Sequence, residues 1–205
     1  TVAIISRRLN MPNWCNNVLT LVHEDRKMIS RAVKSAQKDA FLNEFVPVPQ
    51  ALSDTTEGSF GDKLEQARLN DLRENNRKTY GYSSWYDFAI GEWGCKWDIS
   101  NGGSDYKIKK VDDSYTVTLH FDTAWSPPIN FYDKLIELEF TVDAMYYEPG
   151  VNFCGQYFDG QDETYELNNL TSDEAKDQLP EELDLAFGIS EEIAHWEAEQ
   201  EEENE

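Results

Sequence analysis

The stretch "SYTVTLHFDTAW" at 114–125 alternates without a break, and that alternation constrains the chain more than any other feature. Tyr115, Val117, Leu119 and Phe121 fall on one side, and Thr116, Thr118, His120 and Asp122 on the other. A period of two with one apolar side is a β-strand covering a core with one face. Such strands belong to antiparallel sheets packed on one side by helices. The neighbouring segments supply both partners. "NVLTLVH" at 17–23 reads as a second strand, rich in β-branched residues. After it, Met28, Ile29, Ala32, Val33, Ala36, Ala40 and Phe41 recur near helical spacing, and "VPVPQAL" stops that helix because proline removes a donor.

Residues 53–80 are polar, with a short helix expected at 62–75, and read as an insertion between core elements. Helical spacing resumes over 84–90, Gly91 and Gly94 break it, and a strand is expected to start near Lys96. "NGGSDYK" is a turn, and the 114–125 strand follows. "SPPINFYDKLIELE" begins a helix, with Ser126 as the expected cap and proline in its first turn. "FTVDAMYYEPG" is another strand, and "VNFCGQYFDGQDETYEL" a hairpin turning at Asp159-Gly160. This order predicts an α+β fold: a ferredoxin-like antiparallel sheet with two helices on one face, an extra C-terminal hairpin and an acidic helical tail. The expected divisions are 1–10 as an upstream extension, 11–167 as the domain and 168–205 as the tail, ending in a charge run that should fray.

Charge is distributed unevenly. Residues 1–110 hold 16 of the 18 Lys and Arg and 14 of the 40 Asp and Glu, whereas residues 111–205 hold 2 basic and 26 acidic residues. Bulk affinity for phosphate is disfavoured, since counterion release needs Lys and Arg at the contact. A basic or DNA-binding protein is the expected partner, with no direct contact to nucleic acid. No apolar run reaches the roughly 18–20 residues that span a bilayer, so no membrane partner is expected. Cys15, Cys95 and Cys154 are far apart and form no CxxC or Cys/His cluster, so neither a metal nor another cofactor is expected.

Four ordered blocks, "MPNWCNNVLTL", "GEWGCKWDIS", "FDTAWSPP" and "YYEPGVNFCGQYFDG", resemble the YubB ferredoxin-like-domain family of small proteins encoded by bacteriophages, prophages and plasmids. The resemblance spans most of residues 11–160. It implies a ferredoxin-like fold, a mobile-element origin, Met11 as the natural start and action in the host cytoplasm. It implies no activity.

Candidate sites follow from residue type and place. Trp14, Asn16, Asn17, Trp93, Trp97 and Trp125 form a Trp/Asn-rich rim suited to a small ligand, or else a plug at the end of the sheet. Lys96 and Asp98 share a face and read as a surface pair. His120, between Thr118 and Asp122, has the makings of an acid/base residue, but no nucleophile is placed beside it. "LDLAFGISEEIAHWE" has helix-turn-helix spacing, yet its second helix offers glutamates where a DNA reader needs Arg, Lys, Asn or Gln. Glu181, Glu182, Asp184, Glu191, Glu192, Trp196, Glu197 and Glu199 are therefore the expected partner-binding residues. The resulting reading is a non-enzymatic accessory protein that binds a host or defence protein by acidic nucleic-acid mimicry. The alternative is a nucleotide-like ligand binder or hydrolase working at the tryptophan rim.

Overall fold

The computed structural model describes residues 13–203, and the expected extension at 1–10 and start at Met11 lie outside the described residues. β1 runs over Trp14–His23 and begins earlier than its β-branched run. Asp25 caps α1 (Arg26–Ala36) by accepting the amide of Lys27. The short helices α2 (Phe41–Phe45) and α3 (Gln50–Ser53) follow. The expected helix at 62–75 is longer, α4 over Lys63–Tyr80, capped by Asp62 and closed by Gly81 in the left-handed region at φ 82°. Then come α5 (Trp85–Phe88), a π-helical turn (Ala89–Trp93), β2 (Lys109–Val111) and β3 (Ser114–Ala124). α6 (Ile129–Glu137), β4 (Thr141–Glu148), β5 (Phe153–Phe158) and β6 (Gln161–Glu166) complete the sheet. The chain continues through α7 (Ser172–Gln178), α8 (Glu181–Phe187) and α9 (Ile189–Glu203).

The six strands form one open sheet in the order β2-β3-β1-β4-β5-β6, antiparallel throughout. β1 lies at its centre. Its register sets Leu19 against Leu119 and Ala144, and Leu21 against Val117 and Val142. These residues face α1 and α6 in the main core, with Ile29, Ala32, Phe131 and Leu135. The β5–β6 hairpin turns at Asp159 (φ 40°) and Gly160 (φ 90°), as an Asp-Gly pair with both residues at positive φ requires.

Three expectations need correction. The helix expected to run on through Ala40 and Phe41 ends at Ala36, and Asp39, at φ 51°, separates it from α2. No strand starts near Lys96. Gly94, at φ 88°, closes the π-helical turn, and Asp98 then accepts the amides of Leu42 and Asn43, each at 2.9 Å. That anchoring holds the chain against α2, and it reaches the sheet through the single bridge Ser100–Asp122. The edge strand is β2 instead, joined to β3 through Asp112 at φ 50°. Nor does Ser126 cap α6. Pro128 occupies the cap position, and the Ser126 hydroxyl donates to the Gly94 carbonyl at 2.7 Å.

The helices do not keep to one face. Tyr147 and Cys154, on the side of the sheet away from α1, pack with Leu167, Ala175, Leu179, Leu183 and Ile189 in a second buried cluster. α7, α8 and α9 therefore cover the β4–β6 half of that side, while Thr118 and His120 on β3 stay exposed. Burying the inner stripe of acidic helices is favourable because each leucine removes apolar surface from water while the carboxylates stay outside. Leu183 is fully buried. Leu183→Ala should lower unfolding free energy by about 2–5 kcal/mol, the range for a large-to-small change in a closed core. Urea denaturation measures it. A loss below about 1 kcal/mol would mean that the helices are not packed on the sheet.

Candidate functional site

The six tryptophans and amides singled out above divide into three groups. Trp93 is buried, and its Nε1 donates to the Val46 carbonyl at 3.0 Å, so it fills the core. Asn17 is buried as well. Its side-chain amide donates to the Cys15 carbonyl at 2.8 Å and to Thr123 Oγ1 at 2.9 Å, tying β1 to β3. Asn16 donates to Asp122 Oδ1 at 2.8 Å, and Asn101 donates to Asp122 Oδ2 at 2.6 Å. The carboxylate that sequence places beside His120 is thus held by two asparagines. His120 itself is exposed on the uncovered part of β3.

Trp97 and Trp125 form the third group. They are 38% and 41% exposed, with ring centroids 6.5 Å apart. Lys96 Nζ lies 4.5 Å from each centroid. The expected Lys96–Asp98 surface pair does not form, because Asp98 turns to backbone amides. Trp14, the first residue of β1, is half-buried opposite Ala124. Trp125 sits at φ 72°, in a region that bulky side chains seldom occupy. Its amide donates to the Asn13 carbonyl at 2.9 Å, and Thr123 Oγ1 donates to the Ser126 carbonyl at 2.8 Å, which fixes the chain on both sides.

All three cysteines are buried. Burial, with Glu148 nearby, raises the Cys15 thiol far above its ordinary range, and burial with Asp98 nearby does the same for Cys95. Cys154 is pushed up to about 12 by burial and Asp184. A thiol raised in this way yields almost no thiolate at neutral pH and is a poor nucleophile. Among the described residues, no group of three or more His, Cys, Asp or Glu is arranged to hold a metal ion.

The acidic layer carries its carboxylates in two roles. Asp184 accepts the amide and hydroxyl of Ser190, both at 2.7 Å, at the start of α9. Glu192 accepts the Tyr147 hydroxyl at 3.1 Å, and Glu197 accepts the Ser172 hydroxyl at 2.7 Å, pinning α9 to the sheet and to α7. These three anchor α9 through hydrogen bonds, Glu192 while still exposed, and sequence reading did not separate them from the rest. Glu181, Glu182, Glu191 and Glu199 are exposed. Trp196, 60% exposed, borders a groove of about 430 Å³ with Pro149, Asn168, Leu170 and Ile193. Among the described residues beyond 137, the ion pair present is His195–Glu199 at 3.3 Å, charged on both sides only when the imidazole is protonated. The carboxylates of this layer are therefore largely uncompensated.

Asp143 senses that field. Burial, then the Glu182 and Asp159 carboxylates, raise its pKa above the ordinary 3.8. The folded state holds this proton more tightly than the unfolded one. The Asp143 contribution to stability is thus fully present below its unfolded pKa and is lost as pH rises through the raised folded value. Glu182→Gln should move the Asp143 midpoint down toward 3.8 in a carbon-detected NMR titration. An unchanged midpoint would place Glu182 too far away to act.

No family model matches the chain, and no curated protein matches it. Among solved structures, protein api92 from Yersinia pseudotuberculosis, described with the family label DUF1281, is similar over 76% of this chain and 98% of its own. The identity is 12% and the TM-score 0.36, a likeness too weak to carry an argument.

Proposed function

We propose that this chain acts without catalysis, by presenting the acidic face of α8 and α9 to the basic, DNA-binding site of a host or defence protein. The observation that carries the reading is the exposed set Glu181, Glu182, Glu191 and Glu199, held on helices whose apolar side is buried against the sheet. Carboxylates on a fixed surface imitate phosphates better than carboxylates on a loose segment, because less conformational freedom is lost on binding. Complementary charge also speeds encounter and makes it salt-sensitive. The exposed Trp196 and the groove beside it add apolar contact area, of the kind that dominates protein interfaces.

The same reading takes the order β2-β3-β1-β4, with α1 and α6 on one face, as a ferredoxin-like core extended by β5, β6 and the acidic helices. It takes the four blocks that resemble the YubB family as marking an accessory protein of a phage or plasmid, acting in the host cytoplasm. Among the described residues, no helix is long and apolar enough to cross a membrane.

The test is displacement of a labelled DNA duplex from a panel of purified bacterial DNA-binding proteins. The intact chain should displace DNA from at least one of them, with a midpoint that rises with salt. The variant with Glu181, Glu182, Glu191 and Glu199 all changed to Gln should need at least about tenfold more protein, given coupling energies near 1.4 kcal/mol or above for close charge pairs. Equal displacement by both proteins, or none by the intact chain, contradicts the proposal.

A further inference from the structure

Lys96 occupies an unusual place for a cation in so acidic a chain. Asp98, two residues on, is engaged by the amides of Leu42, Asn43 and Ile99, and among the described residues Lys96 makes no ion pair. Its ammonium instead lies 4.5 Å from the centroids of both Trp97 and Trp125. Both distances are within the roughly 6 Å range over which an aromatic face attracts a cation. The two indoles are also held in the open. They are 38% and 41% exposed, whereas Trp93, in the same segment, is 5% exposed and packed in the core. Trp125 keeps this position at φ 72°, with its amide fixed to Asn13 and the following residue fixed to Thr123 and Gly94. Backbone strain in a bulky residue persists only where the surroundings enforce it, and such positions gather at binding sites.

We propose that Trp97 and Trp125 form a cation-binding cage, occupied at rest by Lys96 and open to a weakly hydrated cation, a quaternary ammonium or a guanidinium, that displaces it. A primary ammonium is compact and strongly hydrated, so its hold on the indoles competes with water. A quaternary ammonium or guanidinium gives up less hydration on reaching the same faces, and the flexible four-carbon stem lets Lys96 swing aside. Lys96 acts as a threshold: cations no better matched than itself stay out. The site uses none of the exposed carboxylates of α8 and α9, so it stands or falls apart from the acidic-face reading.

The test is titration of the full-length chain, followed by calorimetry and tryptophan fluorescence, with tetramethylammonium, choline, N-acetyl-trimethyllysine amide, N-acetyl-arginine amide and N-acetyl-lysine amide. At least one quaternary or guanidinium probe should bind saturably and at least several-fold more tightly than the lysine amide. Lys96→Ala should tighten that binding about tenfold by removing the internal competitor, which holds two cation–aromatic contacts. Trp97→Leu and Trp125→Leu should each weaken it at least tenfold, and Trp196→Leu should leave it unchanged. Lys96→Met, which keeps the stem without the charge, should behave like Lys96→Ala, and circular dichroism melting checks that each variant is folded. A preference for choline identifies a free small ligand, and a preference for the trimethyllysine amide a modified protein side chain. The proposal is overturned if neither the intact chain nor Lys96→Ala binds any probe, if both Lys96 variants bind no more tightly than the intact chain, or if the tryptophan variants bind as it does.

Discussion

Burial of both faces of the second half of β4, from Met145 to Glu148, is what the two halves of the molecule share. Val142 and Ala144 point into the core under α1 and α6, while Met145 and Tyr147 point into the cluster under α7, α8 and α9. Tyr146 is buried too, its hydroxyl donating to Asp162 at 2.8 Å in the adjacent hairpin. A strand covered on both sides over its second half couples the layers. Loosening the acidic helices would bring Tyr147, Cys154 and Tyr165 to water, at about 25 cal/mol for each Å² of apolar surface uncovered.

This coupling explains how a chain with net charge −22 can concentrate acids on one side and still keep that side ordered. Like charges on α8 and α9 repel one another, and Glu182 on α8 adds to burial in raising the proton affinity of Asp143. Against that stand the buried Leu179, Leu183 and Ile189, together with hydrogen bonds in which Asp184, Glu192 and Glu197 accept from Ser190, Tyr147 and Ser172. The burial does not depend on salt, whereas the repulsion weakens as the Debye length falls to about 8 Å at physiological ionic strength. The acidic surface is thus a cost borne by the apolar underside, a pattern expected where the charge has work to do outside the molecule.

The strands and main helices were legible because their periodicity is strong: β3 alternates over its whole length, and α1 carries Ile29, Ala32, Val33 and Ala36 on one side. The second layer was harder to foresee. "AMYY" is apolar on both faces, a mark of a doubly covered strand, but Thr141 and Asp143, alternating with Val142 and Ala144, carry the pattern of an open one and do stay exposed. The strand expected near Lys96 failed because nothing in the sequence shows that Asp98 will take the amides of α2. At the site, residue type placed Trp97 and Trp125 in one rim, although they lie 28 positions apart, but it paired Lys96 with Asp98 instead. Their convergence on one ammonium, and the split of the acids into anchors and exposed groups, depend on side-chain geometry that no spacing rule encodes.

Native-state hydrogen exchange tests most directly whether the acidic helices are a fixed layer of the fold. On this account, the amides of Phe187 in α8 and Ile193 in α9 exchange with protection within about tenfold of Leu19 and Leu119 in the sheet, since one cooperative unit opens as a whole. Exchange of those helical amides thousands of times faster than the sheet, at the rate of a fraying segment, would contradict it.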